Sequence, residues 1–192
     1  QLISAYRSGA DEIKVKFNQE QIEDNKTKQR VNTSKFLQEI SERFIGMEII
    51  KQSNTYCIFK ELSAAKHEEF DNVLRRMQFT ILGMSEELRE AYIKKDKEQF
   101  TSIIEVSEKN LNKLSHYCIK LLNRKGRSTL KEGTSLHTIV HNLEMIGDAY
   151  AAIARLGKEQ DHEEKELVEI LKTAHSMLEQ FNKAFYAPKK EL

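Results

Sequence analysis

His137-Thr-Ile-Val-His141-Asn-Leu-Glu144-Met-Ile-Gly-Asp148-Ala-Tyr-Ala-Ala-Ile153 is the stretch that decides the fold. Read with 3.6 residues per turn, His137, His141, Glu144 and Asp148 fall within roughly 60° of arc. Leu136, Ile139, Val140, Leu143, Ile146, Ala149 and Ile153 cover most of the remaining circumference. The pattern is that of a helix that is apolar over most of its surface and carries one narrow stripe of metal-ligand residue types. From Thr134 to Ala154 there is no Lys or Arg, although the chain has 31 of them. A helix that faced water with its polar stripe would ordinarily carry lysine there, so this stripe is expected to face something else.

The flanking sequence repeats the helical period. Phe70, Leu74, Met77, Ile81, Met84, Leu88 and Ala91 step alternately by four and three, a heptad seam on one long helix. Met77 and Met84 belong to that seam and are read as core. Ser63 is placed to cap its start, and Lys94-Lys-Asp-Lys97 reads as the turn that ends it. A second helix is expected from about Asp96 to Arg124, with Phe100, Ile103, Ile104, Leu111, Leu114, Cys118 and Leu122 on one side and Gly126 as its left-handed stop. A last helix, about His162 to Tyr186, places Leu167, Leu171, Ala174, Leu178, Phe181 and Phe185 at heptad spacing before Pro188. Four long helices with short turns imply an antiparallel bundle.

The first third has a different texture. Leu2 to Arg7 reads as the end of a helix, stopped at Gly9. Glu12-Ile-Lys-Val-Lys-Phe17 alternates charged and apolar residues as a half-buried strand does. A polar stretch from Asn18 to Lys28 leads to a helix from Val31 to Phe44, and Gly46 ends it. Met47 to Ile50 and Tyr56 to Phe59 are two strands around a Gln52-Ser-Asn-Thr55 turn. The expected architecture is mostly α: a small α-β-α-β-β domain over residues 1–62, then a helical bundle over 63–192.

Composition narrows the function. Lys+Arg and Asp+Glu nearly cancel, to a net charge of +1, without the basic excess of a nucleic-acid binder. No apolar run approaches the roughly 20 residues of a membrane span. Two isolated cysteines, Cys57 and Cys118, make neither a disulfide framework nor a CxxC site, and read as intracellular thiols. The first residue is Gln1 and not Met, so a fragment of a longer chain is expected.

Glu144 and Asp148, four apart, project from one face a turn apart and can hold or bridge cations if a second helix supplies partners. Glu108 and Asn112, also four apart, stand at the edge of the apolar face of the preceding helix, with His116 one turn further on. His137 and His141 add nitrogen donors, which suit iron, zinc or manganese better than calcium. The bland reading is a rim beside solvent with exposed histidines. Arg124, Lys125, Arg127 and Lys131 form a basic turn: either a C-terminal cap with a solvated loop, or a dock for phosphate, an acidic partner or a lipid head group. There is no P-loop, no nucleophile elbow and no Glu-x-x-His pair of the kind a carboxylate-bridged di-iron enzyme uses.

Leu143-Glu-Met-Ile-Gly-Asp148, followed by Ala-Tyr-Ala-Ala-Ile-Ala154, resembles the Leu-Glu-Arg-Ile-Gly-Asp signature of the PhoU phosphate-uptake regulators. The resemblance covers roughly residues 64 to 160. It implies a helical bundle in which an acidic i, i+4 motif on each of two neighbouring helices binds metal at the bundle surface. Glu144 and Asp148 match the second motif, and Glu108 and Asn112 stand at the first. Asn112 replaces the family's Asp, which removes one anionic ligand, and Met145 replaces its Arg. The metal set implied is Glu144, Asp148, Glu108 and Asn112, with His141 as a helper, holding iron, zinc or manganese. A standard member has two repeats in tandem. A single repeat implies a homodimer.

The layout ahead of the bundle is similar to that of archaeal PhoU-like proteins, which often begin with an AbrB-type DNA-binding module. The resemblance therefore implies a non-enzymatic, cytoplasmic regulator of phosphate or other anion uptake that binds a transporter or signalling protein. It does not insert into a membrane or contact nucleic acid through this fragment. Two alternatives remain from other classes. One is the dimerisation module of a transcription regulator whose DNA-binding domain is missing. The other is a carboxylate-bridged metalloenzyme.

Overall fold

A computed structural model describes residues 1–23, 28–62, 69–125, 129–159 and 165–187. In chain order the elements are α1 (Leu2–Arg7), β1 (Glu12–Lys16), β2 (Gln21–Glu23), β3 (Arg30–Asn32), α2 (Thr33–Ser41), β4 (Met47–Gln52), β5 (Tyr56–Glu61), α3 (Glu69–Lys94), α4 (Lys97–Ser102), α5 (Glu108–Lys125), α6 (Leu130–Glu159) and α7 (Lys165–Phe185). A small strand region is followed by a helical bundle, as the periodicities predict. By contacts the chain forms two compact units, one of residues 1–73 with 113–137 and one of 74–112 with 138–192. Ser63, Gly126 and Pro188, read as cap and stop signals, lie outside the described residues.

In the first unit β1, β5 and β4 form an antiparallel sheet in that order, with Val15 opposite Cys57 and Met47 opposite Glu61. The pairing of β4 shifts register between Ile49 and Lys51. Cys57 and Phe59 face the core, and their neighbours Tyr56, Ile58 and Lys60 face the other way, the period-2 alternation of a sheet with one covered face. Phe44 joins the layers: it stacks on Tyr6 at 4.3 Å and meets Phe59 edge-on at 6.1 Å. The Tyr6 hydroxyl donates to the Ile45 carbonyl at 2.9 Å and accepts from the Ile45 N–H at 3.0 Å, so this buried phenol is satisfied on both sides. Gly9 has φ +92, and a Cβ there would meet Arg124 Cβ at 3.1 Å, which suits glycine twice over.

A second hairpin, β2 with β3, lies between β1 and α2, where the sequence pattern announces none. The polar stretch from Asn18 therefore carries structure, and the unit runs α-β-β-β-α-β-β. The helix expected from Val31 starts at Thr33 because Asn32 is its cap, its side-chain oxygen accepting from the Lys35 N–H at 3.1 Å.

In the second unit the heptad seam of α3 is core along its length: Leu74, Met77, Ile81, Met84, Leu88 and Ala91 are all buried. Lys95, with φ 55, and Asp96, whose side chain accepts from the N–H groups of Glu98 and Gln99, close the turn into α4. The helix expected to run unbroken to Arg124 contains one turn of π-helix, Ile103–Ser107. That wide turn inserts an extra residue into the helical repeat and resets which face the following residues present. Phe100 and Tyr92 pack edge to face at 4.9 Å over Gly157, where a Cβ would stand 2.7 Å from Phe100 and 2.8 Å from Tyr92. The Tyr92 hydroxyl donates to the Ile153 carbonyl at 2.8 Å.

Candidate functional site

The α5–α6 contact is set by Gly147. A Cβ at that position would lie 1.9 Å from Leu111 Cδ2 and 4.0 Å from Met84 Sδ, so the missing side chain is what lets α3, α5 and α6 converge. Going from this contact toward Arg155 on α6 means going down the numbering to Glu108 on α5, so the two helices run antiparallel. Gly147 and Met84, then Ile153 and Tyr92, rise together, so α3 and α6 run parallel.

This register places the candidate ligands. Glu144 and Asp148 stand three residues before and one after Gly147, and Glu108 and Asn112 stand three before and one after Leu111. Equal offsets on two antiparallel helices turn toward the same side of their contact line. The two oxygen pairs therefore share one rim of the α5–α6 interface, at one level. Glu144, Glu108 and Asn112 are half-buried there, and Asp148 is exposed. His141 is exposed on the same stripe of α6, nearly two turns before Gly147, and His137 is exposed a turn earlier.

The rim has a cation that the ligand spacing alone does not announce. Arg155 Nη2 forms an ion pair and hydrogen bond with Glu108 Oε2, with side chains 48% and 18% exposed. The lysine- and arginine-free run ends at Ala154, and the next residue reaches back along α6 to the carboxylate. Asn112 Oδ1 is buried without a hydrogen-bond partner. Among the described residues no three His, Cys, Asp or Glu side chains converge in a group that can hold a metal ion. As placed, the rim does not fit a metal cluster: one of its carboxylates is engaged by a guanidinium and one of its four positions is neutral.

The other candidates are absorbed by the first unit. Arg7 Nη2 donates to His116 Nδ1 at 2.8 Å. Of the basic turn, Lys131 is exposed on α6, and Arg124 pairs with Glu61 and with Asp11. Beside it Lys120, 1% exposed, lies 3.4 Å from Glu61 and 4.7 Å from the Tyr6 ring centre. Burial pulls the Lys120 ammonium below its ordinary value, against the opposing pull of Glu61.

A second feature, of different chemistry, lies between α6 and α7. A groove of about 550 Å³ is lined by Ile139, Leu143, Ile146, Ala149 and Ile153 of α6 and by Ala174, Met177, Leu178 and Phe181 of α7, with no charged residue. The α7 heptad is consequently only partly covered: Leu171 is buried, whereas Phe181 is exposed. Met177, 66% exposed, and Ile170, 63% exposed, extend the apolar surface.

These features define a class: an up-and-down helical bundle whose glycine-centred helix contact carries an acidic rim and whose last helix leaves an apolar groove. Residues 74–157 of this chain, a little under half of it, match the family model described as the PhoU domain. Comparison with curated proteins and with solved structures found no match. No helix among the described residues is long and apolar enough to cross a membrane.

Proposed function

We propose that this protein is a non-catalytic, cytoplasmic regulator of the uptake of phosphate or another anion, working as a homodimer that binds a transporter or signalling protein. The match of residues 74–157 to the PhoU domain carries the reading. The α6–α7 groove supports its mode of action, because contiguous exposed apolar surface of this kind is characteristic of protein contact sites. The reading needs no reaction step and routes nothing through a metal.

The test is uptake of radiolabelled phosphate by cells lacking the gene, complemented with the wild-type chain or with Met177→Glu. Met177 is exposed, so a charge there leaves the bundle folded while spoiling the apolar surface. The expected result is altered uptake in the deletion, restored by wild type and not by the variant. Uptake of phosphate and of other oxyanions that is indifferent to the gene would refute the reading.

A further inference from the structure

We propose that Arg155 is the resident cation of the α5–α6 rim, and that this bundle is assembled and held without a metal ion. The rim gathers the negative side chains Glu108, Glu144 and Asp148 on two helices around the Gly147–Leu111 contact. Carboxylates carried on both of two packed helices repel one another across the contact. A positive charge at the same level removes the opposition. Arg155 supplies one from within the chain, on the α5 carboxylate Glu108. The planar fork of a guanidinium matches a carboxylate, so the pairing needs no external ion.

The same arrangement works against a divalent ion. An ion such as manganese asks for several anionic or neutral oxygen donors at once. Asn112 contributes no charge, and its Oδ1 is buried. Glu108 would have to leave Arg155, and Arg155 would remain beside the incoming dication as a like charge. The absence of Lys and Arg from Thr134 to Ala154 is thus half of a pattern whose other half is the arginine that ends it.

The experiment is metal analysis and thermal melting of the purified full chain. Wild-type protein is expected to carry no stoichiometric metal, to melt at the same temperature before and after chelation, and to show no shift with added manganese, zinc or iron(II). Arg155→Gln releases Glu108 and is expected to gain a manganese-dependent rise in melting temperature, since a ligand that binds only the folded state stabilises it. Glu108→Gln/Arg155→Gln is expected to lose that rise. Stoichiometric metal in wild type, or a wild-type melt lowered by chelation, overturns the proposal. So does an Arg155→Gln protein as indifferent to manganese as wild type. Should Arg155→Gln fail to fold, Arg155→Met, a neutral side chain of similar length, replaces it with the same expectation. Every readout is metal content or melting, so failure here leaves the uptake reading standing, and the reverse also holds.

Discussion

Gly147→Ala is the perturbation that most sharply tests the packing on which the rim depends. The added methyl would sit 1.9 Å from Leu111 Cδ2 and 3.4 Å from its Cγ, whereas carbon atoms in contact prefer about 3.5–4.0 Å. Leu111 is buried, so its displacement must be taken up by the packed side chains around it, and Met84 Sδ already lies 4.0 Å from the new methyl. Overpacking of this kind costs about 1–3 kcal/mol. Alanine recovers about 1 kcal/mol of helix propensity over glycine, leaving a net loss of about 1 kcal/mol. Gly83 on α3 is the control, because a Cβ there meets nothing within 4 Å. Gly83→Ala keeps the propensity gain, so the two substitutions should differ by about 2 kcal/mol in urea unfolding followed by far-ultraviolet circular dichroism. Leu111→Ala alone should cost about 2–5 kcal/mol. Combined with Gly147→Ala it should cost less than the sum, since the new methyl fills part of the cavity. Stabilisation by Gly147→Ala equal to that by Gly83→Ala, or strict additivity in the double variant, would refute this packing.

Three further outcomes concern other parts of the chain. Glu61→Gln leaves Lys120 buried without its counter-charge and should cost about 3–5 kcal/mol. The Lys120 ammonium already lies below its ordinary value of 10.5, so the unfolded chain binds more protons as that value is approached. The penalty relative to wild type should therefore shrink as pH rises toward 10.5, read from urea midpoints. The Cys118 thiol is pushed up from 9.0 to about 12, first by burial and then by the charge of Asp71. Its contribution to stability is complete below pH 9 and lost between pH 9 and 12, with a limiting slope of about 1.4 kcal/mol per pH unit. Cys118→Ala should flatten the pH dependence of stability in that window, and an unchanged slope would count against the burial argument. With the groove as the interface of the proposed homodimer, Met177→Glu should give a monomer in light scattering where the wild type is a dimer, with an unchanged circular dichroism spectrum; a variant dimer of wild-type affinity would exclude the groove as the interface.

Much of the fold was legible because long helices write their burial into the sequence at fixed spacing. The α3 seam read from Phe70 to Ala91 is the seam found buried. The β2–β3 hairpin was not legible, since each strand is three residues with a single apolar side chain, Ile22 or Val31, too short for any period. Nor was the π turn at Ile103–Ser107: its residues are ordinary helix formers, and its effect is to rotate the residues C-terminal to it. Ile104, placed with the buried face, lies inside that turn and is only half-buried. At the site, the i, i+4 spacings put Glu144 with Asp148 and Glu108 with Asn112 on one face of each helix, because that depends only on helix geometry. What spacing could not supply was the partner of Glu108. Arg155 lies seven residues beyond Asp148, outside the cation-free run, and only its reach along the antiparallel pair brings it to α5. The α7 heptad misled in the opposite sense, since an apolar repeat announces a surface that wants covering and does not say that the same chain covers it.

The rim is tested most directly by diffraction. Crystals of the wild-type chain soaked in manganese would be measured at a wavelength where manganese scatters anomalously. With Arg155 as the resident cation, no anomalous peak is expected within coordination distance of Glu108, Asn112, Glu144 and Asp148, and electron density should join Arg155 to Glu108. A peak shared by Glu108 and the α6 carboxylates, with the arginine swung away, would contradict it.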